Sequence, residues 1–125
     1  MIFNEILKGL SGGTIKYEQP TNVQKTGVKI YLQGINHNPF CVAWLYQYRR
    51  YSSGSWQYDT SWGCYLKDAD GNEILNEANY AGVLSSTMTM NYVESSHRMD
   101  ISFQVSSMAN YLPLNPTEYY CFYTE

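Results

Sequence analysis

The 125-residue chain has the length of one domain. Aromatic residues make up 16% of it, and 13 residues are tyrosine. Charged residues make up only 15%, whereas a typical globular domain has about 25% charged residues. Its formal net charge is −3 and its basic residues are scattered apart from Arg49-Arg50, so it lacks the basic stripe of a nucleic-acid interface and no nucleic-acid partner is expected. No run of 18 apolar residues occurs, so the sequence predicts no membrane span.

The first ten residues have the pattern of a short amphipathic helix. The apolar residues share one helical stripe and its flank: Ile2, Phe3, Ile6, Leu7 and Leu10. A helix of two to three turns is unstable alone, so it must dock on its own sheet or on a neighbouring subunit. We therefore predict an N-terminal helix or arm at 1–13 and one β domain at 14–125. Glu5 stands where a secretory leader is basic, which predicts synthesis in the cytoplasm without a signal peptide.

From residue 14 onwards the sequence reads as short strands separated by turns. Apolar and polar residues alternate, and Gly, Pro, Asn and Asp cluster between the alternating runs. The predicted strands lie at 14–19, 28–33, 40–51, 55–67, 74–75, 82–92, 99–105 and 119–123. About eight strands with turns at regular spacing predict an antiparallel β-sandwich, either immunoglobulin-like or jelly-roll.

Residues 40–67 predict one long β-hairpin that carries an aromatic ladder. In the second strand the large side chains share one face: Trp56, Tyr58, Trp62, Cys64 and Leu66. The first strand alternates in the same way: Phe40, Val42, Trp44, Tyr46 and Tyr48. A three-residue turn, Ser52-Ser53-Gly54, pairs Trp44 with Trp62 and places both ladders on one face. That face is predicted to be mostly core, with a surface platform as the alternative.

The reactive side chains show no motif for metal or cofactor binding. Cys41, Cys64 and Cys121 lack metal-ligand spacing, and without a leader they are expected to be buried, reduced thiols, although Cys41 and Cys64 lie close enough across the hairpin for a disulfide. His37 and His97 lie in predicted turns. The acidic turn at 68–73 places its glycine too early for an EF-hand. The sequence therefore predicts no metal and no cofactor.

The pattern Gly-x-Ser-x-Gly occurs at residues 9–13, but it follows a predicted helix and precedes a predicted strand, whereas a nucleophile elbow joins a strand to a helix. A phosphate-binding glycine loop is absent, so we expect a non-enzymatic interaction module. The leading hypothesis is an assembly subunit of a phage or virus particle (head, tail or fibre) that contacts copies of itself or other proteins and is incorporated into the virion. A carbohydrate-binding module is the second, and a small phage-encoded inhibitor or ligand-sequestering protein the third. The candidate contact residues are Tyr31, Tyr51, Trp56, Tyr58, Trp62, Tyr65, Tyr119, Tyr120 and Tyr123.

Overall fold

The computed structural model describes residues 13–67, 73–76, 88–104 and 112–125. Within these ranges the chain forms nine β-strands and no α-helix. In chain order the strands are β1 (Ile15–Glu18), β2 (Asn22–Thr26), β3 (Lys29–Gln33), β4 (Cys41–Ser52), β5 (Ser55–Lys67), β6 (Glu73–Asn76), β7 (Met88–Val93), β8 (Arg98–Phe103) and β9 (Tyr119–Thr124). Short 3₁₀ turns at Glu94–Ser96 and Pro116–Glu118 precede β8 and β9. The N-terminal helix predicted from the sequence lies outside the described residues.

The strands form two antiparallel sheets. Sheet A has the order β1-β9-β4-β5-β6, and sheet B has the order β2-β3-β8-β7. One apolar core joins the two sheets, and its buried residues are Ile30, Leu32, Ile35, Val42, Trp44, Tyr46, Tyr65, Met88, Met99, Ile101, Phe103, Leu112, Tyr119 and Cys121. The predicted all-β sandwich is therefore confirmed. No helix in the described part of the chain is long and apolar enough to cross a membrane.

Sheet B shows the alternation of a sheet that is buried on one face only. Ile30 and Leu32 of β3 are buried with Met99 and Ile101 of β8, while the residues between them are partly or fully exposed. The alternation predicted for these two strands is confirmed. Strand β2 was not predicted, because Val23 is its one apolar residue among five.

The β4–β5 hairpin differs from the prediction in its turn. Ser52 pairs with Ser55, so the loop is the two-residue Ser53-Gly54. These residues have φ angles of 54° and 81°, as in the type I′ turns whose twist matches that of the flanking strands. A shift of one residue moves every side chain of a strand to the other face. Trp44 therefore lies opposite Gly63 and not opposite Trp62.

The two ladders consequently lie on opposite faces of sheet A, and the prediction that they share one face is wrong. Val42, Trp44 and Tyr46 of the first ladder pack into the core between the sheets, whereas Phe40, which precedes β4, packs against the cluster on the other face. The ladder of β5 points away from sheet B and contributes to a second apolar cluster, whose buried members are Cys41, Ala43, Cys64, Leu66 and Phe122. Sheet A is thus apolar on both faces at its centre. The unbroken apolar run at 40–46 is typical of a strand buried on both faces.

The turn predicted at 94–97 is confirmed and also anchors a neighbouring loop. His97 adopts a left-handed φ of 48°, and its carbonyl oxygen accepts hydrogen bonds of 2.9 Å from the backbone N–H groups of Gly34 and Ile35. The Tyr92 hydroxyl donates a 3.0 Å hydrogen bond to the Ile35 carbonyl oxygen. Residues 68–72 of the turn predicted at 68–73 and the first half of the strand predicted at 82–92 lie outside the described residues.

Candidate functional site

The distal part of the β4–β5 hairpin extends beyond the sandwich, and we call residues 47–60 the arm. Among the described strands, β9 pairs with β4 as far as Trp44, and β6 pairs with β5 from Tyr65 onwards. Over the arm the two strands pair with each other, and no other described strand flanks them. From Trp44 to Ser52 the ribbon extends roughly 25 Å, at about 3.3 Å per residue.

One face of the arm is aromatic and open to solvent. Tyr51 is 65% exposed, Trp56 is 55% exposed and Tyr58 is 63% exposed. Tyr51 pairs with Trp56, and Arg49 pairs with Tyr58. Because the two pairs are two residues apart along each strand, all four side chains share one face. We call this set, Arg49, Tyr51, Trp56 and Tyr58, the aromatic face of the arm.

Contacts within the arm hold these side chains in position. The Arg49 guanidinium lies 4.6 Å from the ring centroid of Trp56, a cation–π contact worth about 0.5–1 kcal/mol at an exposed site. The Tyr51 ring meets Trp56 edge to face, with centroids 5.4 Å apart and planes at 73°. On the opposite face, Arg50 Nε lies 2.6 Å from Asp59 Oδ2. Side chains that are already ordered lose less entropy when a partner binds.

A cleft lies where the arm leaves the sandwich. It has a volume of about 470 Å³ and is lined by Leu45 and Gln47 of β4, Thr60 of β5, and Leu112 and Pro113 of the loop before β9. Tyr46 and Glu118 complete the lining, so both polar and apolar side chains contribute to its wall. The arm therefore has a recess at its base.

Trp62 and Tyr120 lie closer to the sandwich on the same side of sheet A as the aromatic face of the arm. Both are half-buried, with ring centroids 5.6 Å apart and planes at 56°. Tyr17 of β1 extends this group, because its ring lies 5.3 Å from Tyr120. Tyr17 is exposed and was not among the predicted contact residues. The sequence indicates the face on which Tyr17 lies, because Tyr17 is two residues from the apolar Ile15 in β1.

Tyr65 and Tyr119 are placed differently, because both are buried in the core between the sheets. Among the described residues the Tyr119 hydroxyl has no hydrogen-bond partner, and burial raises the pKa of Tyr119. Burial of this kind removes a side chain from the accessible surface. These two tyrosines therefore contribute to the sandwich and not to a surface for partners.

The remaining predicted contact residues are Tyr31 and Tyr123. Tyr31 lies on the outer face of sheet B, and the Arg98 guanidinium lies 4.8 Å from the centroid of the Tyr31 ring. Arg98 also donates two hydrogen bonds to the Asp100 carboxylate. Tyr123 stacks on the imidazole of His37, with centroids 3.9 Å apart. Both rings are thus covered by side chains of the chain itself and lie apart from the arm.

Among the described residues, side chains with reactive chemistry are buried or dispersed. In the ranges that the structure describes, no group of three or more His, Cys, Asp or Glu residues is placed to hold a metal ion. The three cysteines are buried thiols outside any disulfide. Contact with the Cys64 thiol and burial raise the pKa of Cys41, and burial raises the pKa of Cys121. Thiols with raised pKa values are poor nucleophiles near neutral pH.

No protein-family model, no curated protein and no solved structure matches this chain. The function is therefore inferred from the geometry of its surfaces.

Proposed function

We propose that this protein is a non-enzymatic assembly subunit that binds neighbouring protein subunits through the arm, as in a head, tail or fibre component of a phage or virus particle. One observation carries the proposal: Tyr51, Trp56 and Tyr58 are more than half exposed and lie side by side on the arm. Trp, Tyr and Arg are the residue types most enriched at the energetic centres of protein interfaces. Arg49 completes such a set.

The construction of the arm also supports a protein partner. A two-stranded ribbon is only marginally stable in water, and its unflanked strand edges invite pairing with another chain. At Gln47–Tyr51 and Trp56–Thr60 both edges lie beyond the described neighbouring strands. A protein partner can cover the aromatic face and add a strand at an edge, which supplies backbone hydrogen bonds as well as apolar contact.

The strand order supports the jelly-roll form of the predicted sandwich. β1 pairs with β9 in sheet A, and β3 pairs with β8 in sheet B, so the two halves of the chain run alongside each other in both sheets. In an immunoglobulin-like sandwich the first strand lies beside the second. Jelly-roll sandwiches occur both in viral capsid domains and in lectin domains, so this topology agrees with the proposed role and equally with the carbohydrate-binding hypothesis.

A carbohydrate-binding platform is the second hypothesis, and the ring geometry favours it less. A sugar ring stacks flat on an aromatic ring, so a platform needs open ring faces that lie side by side. Arg49 covers one face of Trp56, and Tyr51 stands at 73° to it. Protein side chains of varied shape fit such an angled surface better than a flat sugar ring does.

Sedimentation velocity over a range of concentrations tests the proposal. The wild-type chain is expected to associate, and Tyr58→Ser is expected to weaken the association by about tenfold or more, as truncation of an interface aromatic does. Gln57→Ser is the matched control, because Gln57 is the adjacent exposed residue on the opposite face of β5. Its association constant is expected to equal that of the wild type.

Two results would count against assembly through the arm. Equal association of Tyr58→Ser and the wild type would place the contact elsewhere. A monomer at all concentrations that binds immobilised glycans, and loses that binding in Trp56→Ala, would favour the carbohydrate-binding hypothesis. A monomer that binds a soluble small ligand instead would favour a sequestering role.

A further inference from the structure

The cleft at the base of the arm opens on the same side of sheet A as the aromatic face. Leu45, Gln47 and Thr60 line the cleft, and they lie an even number of residues along the hairpin from Arg49 and Tyr58. Since alternate residues of a strand point to one face, all five side chains share that face. The cleft and the aromatic face are therefore one continuous surface, with the cleft at its base and the aromatic rings towards its tip.

The lining of the cleft suits an aromatic side chain that carries a polar group. Leu45, Leu112 and Pro113 supply apolar contact, whereas Gln47 and Glu118 supply side-chain oxygens that accept hydrogen bonds. Within the described ranges the Glu118 carboxylate forms no ion pair and no hydrogen bond. The cleft therefore combines an apolar wall with an unpaired negative charge.

The tip of the arm carries the complementary groups. Tyr51 is 65% exposed and joins an apolar ring to a hydroxyl that donates a hydrogen bond. The Arg49 guanidinium contacts the ring of Trp56 and forms no ion pair in the described part of the chain. An aromatic ring, a hydroxyl donor and a free positive charge thus match the apolar wall, the acceptors and the carboxylate of the cleft.

The charge distribution of the chain favours contact between two copies. Arg49, Arg50 and Asp59 give the arm a net charge of +1, so the remaining residues, with six basic and ten acidic side chains, carry a net charge of −4. Opposite net charges attract the arm of one copy to the body of another and speed their encounter.

We propose that the arm binds the arm of a second copy of this chain, antiparallel and around a twofold axis, so that Tyr51 of each copy lies in the cleft of the other. The inference rests on the proposed assembly role and names the partner of the arm. Around a twofold axis every contact is made twice, and the assembly closes as a dimer.

The even spacing of residues along the strands fixes the other contacts. With Tyr51 over Leu45 of the second copy, Arg49 lies over Gln47, because both pairs are two residues apart. In β5 the same placement puts Trp56 over the half-buried ring of Trp62.

Glu118 lies within reach of the Arg49 guanidinium of the other copy in this arrangement. It precedes Tyr119, the pairing partner of Trp44, and lines the cleft with Leu45. Each half of the dimer thus gains an ion pair between Arg49 and Glu118.

Charge reversal tests this partner. Arg49→Glu places two negative charges together in both halves of the dimer, and Glu118→Lys places two positive charges together. Lys29→Glu and Glu94→Lys are the matched controls, because both residues are exposed and belong to sheet B or its turn, away from the arm. Association is measured by sedimentation velocity, and the composition of each complex by native mass spectrometry.

The expected result is loss in each variant and recovery in their mixture. Arg49→Glu and Glu118→Lys should each weaken dimerisation by about tenfold or more, whereas the two controls should match the wild type. An equimolar mixture of the two variants should dimerise about as tightly as the wild type, because both contacts then join opposite charges. The native mass spectrum of the mixture should show dimers with one copy of each variant.

Three results would overturn the twofold pair. If both charge variants associate as tightly as the wild type, or if their mixture does not recover while Tyr58→Ser weakens association, the arm binds a surface other than the cleft. Oligomers that grow past the dimer as the concentration rises would mean an open chain of copies. A wild type that stays monomeric would exclude a second copy as the partner. Equal association of Tyr58→Ser and the wild type would instead contradict the proposed function itself.

Discussion

The position of the Trp44 side chain depends on Gly63, the residue opposite it in β5. The indole lies flat over Gly63 of β5, and a Cβ atom added at Gly63 would lie 2.6 Å from Trp44 Nε1 and 2.7 Å from Cε2. Real Cβ atoms do not approach other atoms so closely. The φ angle of Gly63 is not positive, so the glycine is not required by a left-handed backbone. The glycine therefore serves close packing of an aromatic ring on a strand.

We predict that Gly63→Ala destabilises the protein by about 1–3 kcal/mol, because the buried indole must move into a well-packed core. The free energy of unfolding, measured by urea denaturation, tests the prediction. The control is the same substitution in a Trp44→Phe background, where the smaller ring leaves room for the methyl group. An equal loss in both backgrounds would show that the indole is not the cause.

The β4–β5 turn is the element that decides which face of sheet A each ladder occupies. The sequence Ser52-Ser53-Gly54 is compatible with a loop of two residues or of three, and the two loops differ in register by one residue. The three-residue loop pairs large side chains across the hairpin, and this pairing is the reason why the sequence predicts it. The twist of the strands favours the type I′ loop instead, because both central residues then take positive φ angles.

Substitutions at the two loop positions are predicted to act in opposite directions. Ser53→Asn should raise the free energy of unfolding by a few tenths of a kcal/mol, since Asn-Gly is the preferred type I′ pair. Gly54→Ala should lower it by about 1–2 kcal/mol, because its φ of 81° strains any residue with a Cβ atom. Thermal unfolding followed by circular dichroism gives both values. An unchanged midpoint for both variants would contradict a two-residue turn.

The alternation of apolar and polar residues within single strands can be predicted from the sequence, whereas the exposure of each strand to solvent cannot. β3 and β8 are half-buried, so their period of two identifies both the strand and its core face. β2 escaped prediction because an edge strand with Val23 as its one apolar side chain has no such period. In β5 the alternation correctly groups Trp56 and Trp62 on one face, but it does not reveal that one is exposed and the other half-buried.

The exposure of the aromatic residues depends on where the neighbouring strands end. β9 reaches Trp44 and β6 begins to pair at Tyr65, so the ladder beyond these points becomes the arm. Pairing limits between distant strands are long-range properties that local patterns do not encode. Tyr51, Trp56 and Tyr58 could therefore be selected as contact candidates from the sequence, while their grouping on one open face required the fold.

The whole molecule is asymmetric in its surface chemistry. The outer face of sheet B is polar and satisfied by its own hydrogen bonds, such as Asn22 Nδ2 to Gln33 Oε1 at 2.7 Å and the Arg98–Asp100 pair. The opposite side of the molecule carries the aromatic face of the arm, where Tyr51, Trp56 and Tyr58 are exposed. Protein partners are therefore expected to approach from the side of sheet A.

Assembly of this protein through the arm is tested most directly by hydrogen exchange followed by mass spectrometry. Exchange of peptides covering residues 47–60 is compared at concentrations below and above those at which the protein associates. The arm should become protected as the assembly forms, while peptides from β2 and β3, on the far sheet, should exchange at an unchanged rate. Association without added protection of residues 47–60 would contradict assembly through the arm.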